Sequence, residues 1–292
     1  MDTTLLSIFY GGSRTYFYST LFFPRDIRRD VFILYSFVRV ADDYVDAIPQ
    51  ETEAFYSFVD TYQRAASGEI TGNVVIDGFA DLALRLSFEP KWVDAFLGSM
   101  EMDITVSQYE TEKDLLGYLY GSSEVVGLMM ARILRLPERA DHAARLLGRA
   151  MQYINFIRDI PEDLTLGRLY FPVQELNQFG LASLDETHIR RNPEAFDAFL
   201  QRQIGRYEVW QEEAERGFSS IPARSLIPVK TASDMYTWTA QVIQNCPSIV
   251  YERKVKPSIP RIVATALGNT VAISSRRACG NAPWLFSHKS QD

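Results

Sequence analysis

The feature that most constrains this chain is an apolar helical run that ends in charge. Residues 30–40, DVFILYSFVRV, carry Val31, Leu34, Tyr35 and Val38 at three- and four-residue intervals, the period of a helix with one buried side. The run then passes directly into ADDYVD, which places Asp42, Asp43 and Asp46 within five residues. Asp42 and Asp46 share one helical face about a turn apart, Asp43 is turned away, and like charges at this spacing disfavour an isolated helix. Two readings are open at this point. The cluster is a solvated helix end, or its carboxylates are kept together to hold something positive, with Arg39 as a nearby counter-ion.

A second segment repeats the arrangement. AARLLGRAMQYINFI (residues 143–157) is another apolar helical run, and Arg158, Asp159, Glu162 and Asp163 follow it, with Asp159 and Asp163 again four apart. Neither cluster has the spacing of a calcium-binding loop, and no histidine flanks them as zinc would favour. A few carboxylate oxygens with room left for water and phosphate suit Mg²⁺. If the two helices face each other, their four aspartates can hold Mg²⁺ against a diphosphate. Asn155 and Gln152, one and two turns before Asp159, extend that lining. The repetition weighs against two ordinary solvated ends.

Elsewhere the periodicity is also helical, as in Leu115, Leu116, Leu119 and Tyr120. Pro24, Pro49, Pro90, Pro137, Pro172 and Pro222 fall between such runs, where they begin or end helices. TGNVVIDG (residues 71–78) is the nearest candidate for a strand, and it is short. The expected fold is all-α: one domain over residues 1–292 with roughly ten helices. The 47% hydrophobic and 23% charged residues describe an ordered globular chain. A net charge of -7 weighs against a nucleic-acid partner. Cys246 and Cys279 are too few for a disulfide framework and fit a reducing compartment. The N-terminus lacks the features of a signal peptide, and no eighteen-residue apolar run can span a bilayer. A cytoplasmic protein is expected, touching membranes reversibly through LLSIFY (residues 5–10) or APWLF (residues 282–286), with residues 280–292 as a tail. His142, His188 and His288 lie outside every motif and are read as surface residues.

Four stretches, in order and with the right spacing, carry a resemblance: SRTYFYSTLFFP (residues 13–24), YSFVRVADDYVD (35–46), YLYGSSEVVGLMM (118–130) and QYINFIRDIPEDLTLGRLYFP (152–172). From about residue 8 to about residue 265 the sequence resembles the squalene/phytoene synthase family, the head-to-head prenyl synthases of the all-helical isoprenoid synthase fold. The resemblance implies condensation of two prenyl diphosphates through a cyclopropylcarbinyl diphosphate, with Mg²⁺, or Mn²⁺ in its place, held by Asp42, Asp46, Asn155, Asp159 and Asp163. The apolar helices then line a cavity for prenyl chains, and the aspartates sit at its mouth. It further implies substrate contacts from Ser13, Arg14, Arg39, Asp43, Tyr120, Gln152, Asn155, Arg158 and Arg253, and catalytic roles for the four aspartates with Tyr35 and Tyr236. Several have a plainer reading: Ser13 as a helix cap, Arg39 and Arg158 as counter-ions of neighbouring aspartates, the tyrosines as core. Glu124 departs from the family, in which a small apolar residue is usual.

The resemblance is closest to archaeal and bacterial phytoene synthases. It implies geranylgeranyl diphosphate as substrate, phytoene as product and no need for NADPH. Thr20, two turns beyond Ser13, replaces the bulky phenylalanine that shortens the cavity of shorter-chain relatives. The alternatives are a squalene or dehydrosqualene synthase using farnesyl diphosphate, a cyclase acting on one prenyl diphosphate, and a non-catalytic assembly factor. Complete aspartate motifs argue against the last. Both a monomer and a homodimer are compatible with the sequence.

Overall fold

The computed structural model describes residues 3–278, without the side chains of Arg14 and residues 276–278. Cys279, His288, the APWLF segment and the 280–292 tail lie outside the described residues. Among those described the fold is helical, and the nearest approach to a sheet is one isolated parallel bridge between Gln108 and Leu169. The chain begins with α1 (Thr3–Gly12), α2 (Arg14–Thr20), α3 (Arg25–Asp46), α4 (Thr52–Ala66), α5 (Val74–Arg85) and α6 (Pro90–Thr105). It continues through α7 (Glu112–Leu119), a π-helical turn at Tyr120–Glu124, α8 (Val125–Ile133), α9 (Asp141–Arg158) and α10 (Ile160–Thr165). The last elements are α11 (Val173–Gln178), α12 (Glu186–Ile189), α13 (Pro193–Arg216), α14 (Ala223–Asn245), α15 (Ile249–Glu252) and α16 (Ile259–Ala278).

Local chemistry explains where these helices start. Asn73 caps α5 by accepting from the Val75 and Ile76 amides at 3.0 and 3.2 Å, so NVVIDG opens a helix and not a strand. Thr111 and Asp114 form a reciprocal capping box at the head of α7. Pro90 and Pro193 occupy first-turn positions, where a missing N–H costs nothing. There are more helices than the roughly ten expected, because α10, α11, α12 and α15 are too short to show a period in sequence.

Two buried clusters support the molecule. One gathers side chains of α1 to α6 with α8, the other those of α7 with α9 to α15. α3 belongs to the first and is buried nearly all round over Val31–Leu34, as expected of a central helix. α9 belongs to the second, burying Leu146, Ala150, Tyr153, Ile154, Phe156 and Ile157. The two helices face each other across an internal cavity that both line.

The LLSIFY segment is α1, and it is partly core: Leu5 and Phe9 are buried, whereas Leu6 and Tyr10 face outward. Among the described residues no helix is long and apolar enough to cross a membrane. His142 is exposed and pairs with Glu213, and His188 is half-buried beside Asn192. Cys246 is exposed and free.

Candidate active site

The internal space has two parts that meet. A polar chamber of about 1080 Å³ lies between the ends of α3 and α9 and the 253–258 strap that links α15 to α16. An apolar tunnel of about 280 Å³ leads away from it between α2, α3, α8, α9 and α14. Tyr16, Tyr35, Val38, Ser122, Gln152 and Asn155 line both and form the collar between them.

The four aspartates of the sequence motifs all line the chamber. Arg39 donates to Asp42 at 2.9 Å and also pairs with Asp43, so its charge is divided. Burial, and then the neighbouring Asp46, push the Asp42 carboxyl up to about 8. Asp46 is held differently. Arg168, nearly buried in the turn after α10, donates to its Oδ1 at 2.6 Å and to the Val45 carbonyl at 2.6 Å. The same guanidinium donates to the Asp103 carbonyl at 3.2 Å, and the Asp103 carboxylate accepts from the Tyr118 and Tyr170 hydroxyls at 2.8 Å each. Burial raises Asp103 to about 6, with Arg168 and the two phenols opposing the rise.

Asp159 sits where α9 ends and α10 begins, its backbone outside the helical region at φ −103° and ψ 17°. Arg158 grips its carboxylate with two N–H groups, at 2.7 and 2.5 Å, and Lys254 Nζ lies 3.0 Å from its Oδ1. Burial works to raise this carboxyl, but the two cations outweigh it and hold it below the usual range. Asp163 has no ion pair among the described residues. Burial first, then Asp159 and Asp46, raise it far above the usual range.

The collar carries two buried polar atoms with no hydrogen-bond partner, Ser122 Oγ and Asn155 Oδ1. Asn155 Nδ2 donates to Gln152 Oε1 at 3.3 Å. Tyr35 stacks on Phe9 with ring centroids 3.9 Å apart, and Tyr16 lies 5.7 Å from Tyr236, ring to ring. Burial keeps the Tyr16, Tyr35 and Tyr236 phenols protonated far into the alkaline range. Ser13 is the cap of α2, accepting from the Tyr16 amide at 3.3 Å, and it lines the chamber as well. Arg14 opens α2.

Three expected contacts fall elsewhere. Asp43 is turned outward and pairs with Arg39, because it lies a quarter turn from the Asp42–Asp46 face. Tyr120 lines neither space: the helix carries Tyr118 and Ser122, four apart, to the cavity, leaving Tyr120 beneath the Arg145 guanidinium at 5.4 Å. Arg253 is exposed at an extended backbone position, and alternation along the strap brings Lys254 and Lys256 to the chamber in its place. Glu124 does not touch the cavity. It is buried against α9, where Arg145 and Arg149 donate to its two oxygens at 2.8 and 2.7 Å. Gly121 has its place in the same π turn, since any side-chain atom there would strike the Ala95 carbonyl.

A divalent cation fits this chamber. Asp163 is without an ionic partner, Asp42 is poorly neutralised, and the unpartnered Asn155 Oδ1 is a hard oxygen ligand. Among the described residues no three acidic, histidine or cysteine side chains close into a cage. Such a site suits an ion that draws most of its ligands from water and phosphate.

Comparison with known proteins agrees with this geometry. The family model described as squalene/phytoene synthase matches residues 10–261. The chain is 27% identical to a 15-cis-phytoene synthase of Enterobacter agglomerans over 287 residues, covering 93% of this chain and 96% of that one. It is 27% identical to a 15-cis-phytoene synthase of a Synechocystis species over 265 residues, covering 85% of this chain and 78% of that one. A solved dehydrosqualene synthase superposes with a TM-score of 0.82 at 22% identity, covering 94% of this chain and 96% of that one, and so shares the fold. The apolar tunnel, the facing acidic motifs and these matches lead to one conclusion: the chain belongs to the squalene/phytoene synthase family of prenyltransferases.

Proposed function

We propose that this enzyme joins two geranylgeranyl diphosphates head to head into phytoene, with Mg²⁺ and without a reductant. The observation that carries the chain length is the run of the tunnel along α9. Ala140, Ala143, Ala144, Leu147, Gly148 and Met151 line it in succession up to the collar at Asn155. From Ala140 to Asn155 the chain rises about 22 Å at about 1.5 Å per residue. An isoprene unit adds four carbon–carbon bonds of about 1.5 Å, about 5 Å of zigzag chain, so four units need about 20 Å and three about 15 Å. Thr20, buried on the tunnel wall, leaves the bore open where a phenylalanine would fill it. The similarity to phytoene synthases supports the same reading.

Asp42, Asp46, Asp159, Asp163 and Asn155 would hold the metal, with Lys254, Lys256, Arg39 and Arg158 around the diphosphates. Bound there, Mg²⁺ supplies Lewis-acid withdrawal of charge from the leaving group. Carboxylates alone would repel that group, so the ion decides the sign of the local field. The collar's task is different. Its neutral aromatic faces, Tyr16 and Tyr35, with Tyr236 beside Tyr16 on the chamber wall, stabilise an allylic cation by about 1–2 kcal/mol each when water is excluded. The tunnel aligns the chain so that the second substrate's double bond meets that cation. The exposed Leu6 and Tyr10 on α1 suit reversible contact with the bilayer that supplies such substrates; absence of the protein from floated liposomes would contradict that part.

Product analysis tests the reading. Geranylgeranyl and farnesyl diphosphate are supplied separately, each with and without NADPH. Phytoene from the former without NADPH is expected. Product from farnesyl diphosphate alone, or only when NADPH is present, would overturn the substrate assignment.

A further inference from the structure

Resemblance points to Arg253 as a cation near the diphosphate, but the strap delivers Lys254, and Lys254 is already engaged. Its ammonium lies 3.0 Å from Asp159 Oδ1 and 3.3 Å from Glu162 Oε1. Both Asp159 oxygens also accept from Arg158, so Oδ1 already faces two cations before any metal arrives. We propose that Lys254 is a built-in counter-ion of the second acidic motif, one that must leave Asp159 for a divalent cation to load and that then turns to the incoming diphosphate. This rests on the reading that the chamber takes a divalent cation together with a diphosphate.

The two cations on Asp159 differ in their freedom to move. Arg158 belongs to α9 and is 15% exposed, whereas Lys254 is 33% exposed on a strap without regular secondary structure. A lysine carries its charge on a flexible four-carbon stem, so Nζ can change partners while the fold stays in place. Lys256 shares the chamber side of the strap, so a diphosphate arriving there meets two ammonium groups. Metal and ammonium compete for one carboxylate, and diphosphate gives the displaced ammonium a new partner. Cation and diphosphate therefore bind cooperatively: each raises the affinity for the other by the same factor.

Electron paramagnetic resonance titration of free Mn²⁺, with and without inorganic pyrophosphate, tests this on wild type, Lys254→Met and Lys256→Met. Thermal melts confirm that these partly exposed substitutions leave the protein folded. Without pyrophosphate, Lys254→Met should bind Mn²⁺ about tenfold more tightly than wild type and should lose about tenfold of the enhancement that pyrophosphate brings. Lys256→Met should keep wild-type Mn²⁺ affinity in the absence of pyrophosphate and lose only pyrophosphate affinity. Equal or weaker Mn²⁺ binding by Lys254→Met, with wild type still showing pyrophosphate enhancement, overturns the counter-ion role and leaves the metal reading standing. Failure of wild type to bind Mn²⁺ even with pyrophosphate overturns both.

Discussion

On α3 the helix runs unbroken through Asp42 and Asp46, and the arginine that answers Asp46 comes from far along the chain. At the end of α9 the helix stops at Asp159, and the arginine that answers it is the preceding residue. Both motifs nonetheless reach the same division. One carboxylate in each is tied down, Asp46 by Arg168 and Asp159 by Arg158 with Lys254. The other, Asp42 or Asp163, is left with a carboxyl group raised well above its ordinary value. An identical spacing of aspartates therefore hides two kinds of work. The tied carboxylates fix the helix ends, and the raised ones keep their protons in the metal-free protein until a cation takes the protons' place.

The largest effect should come from the clamp that joins the motifs. Arg168→Met leaves Asp46 and the buried Asp103 without their cation, a loss on the order of 3–5 kcal/mol for a broken buried pair. Thermal or denaturant unfolding measures it, and a stability equal to wild type would show that Arg168 does not tie α3 to the second motif. A smaller effect is expected in the tunnel, away from both motifs. Thr20→Phe should lower use of the twenty-carbon substrate more than that of the fifteen-carbon one, by about 1–3 kcal/mol of steric exclusion. Competition between the two diphosphates reads the ratio, and equal losses for both would place the length limit elsewhere.

A further effect is on pH dependence in the absence of ligands. Folded Asp42 keeps its proton up to about pH 8, whereas in the unfolded chain it loses it near the ordinary value of about 3.9. Across that window the folded state holds more protons, so stability falls as pH rises. Asp103, raised to about 6, adds a slope of the same sign at the lower end. Asp42→Asn should flatten the decline in melting temperature between about pH 6 and 8. An unchanged slope would mean that Asp42 is ionised throughout.

Much of this was legible in the sequence, for identifiable reasons. The all-α fold follows from apolar spacing at the helical period, and the acidic faces follow from positions i and i+4, both local properties. The roles of Lys254, Arg168 and Asp103 were not legible, because each depends on residues distant in sequence meeting across the chamber. Arg168 lies within the quoted GRLYFP stretch, yet its partners Val45, Asp46 and Asp103 are on α3 and α6. Tyr118 and Tyr120 are both plausible tyrosines on one helix. Only the three-dimensional facing of α7 and the π turn decides that the first enters the chamber, with Ser122, and the second does not. Lys254 replaces Arg253 because the backbone becomes extended there, which a helical reading of YERK would not anticipate.

A double-mutant cycle between Asp42 and Asp163 tests most directly whether the two motifs form one centre. Diphosphate release is measured at saturating Mg²⁺ for Asp42→Asn, Asp163→Asn and the double variant. Each single change should slow turnover by at least about a hundredfold, roughly 2.7 kcal/mol in the barrier. Groups that act as a unit are strongly non-additive, so the double variant should lose little more than the worse single one. Losses that add in full, or single variants that turn over normally, would contradict a shared metal–diphosphate centre between α3 and α9.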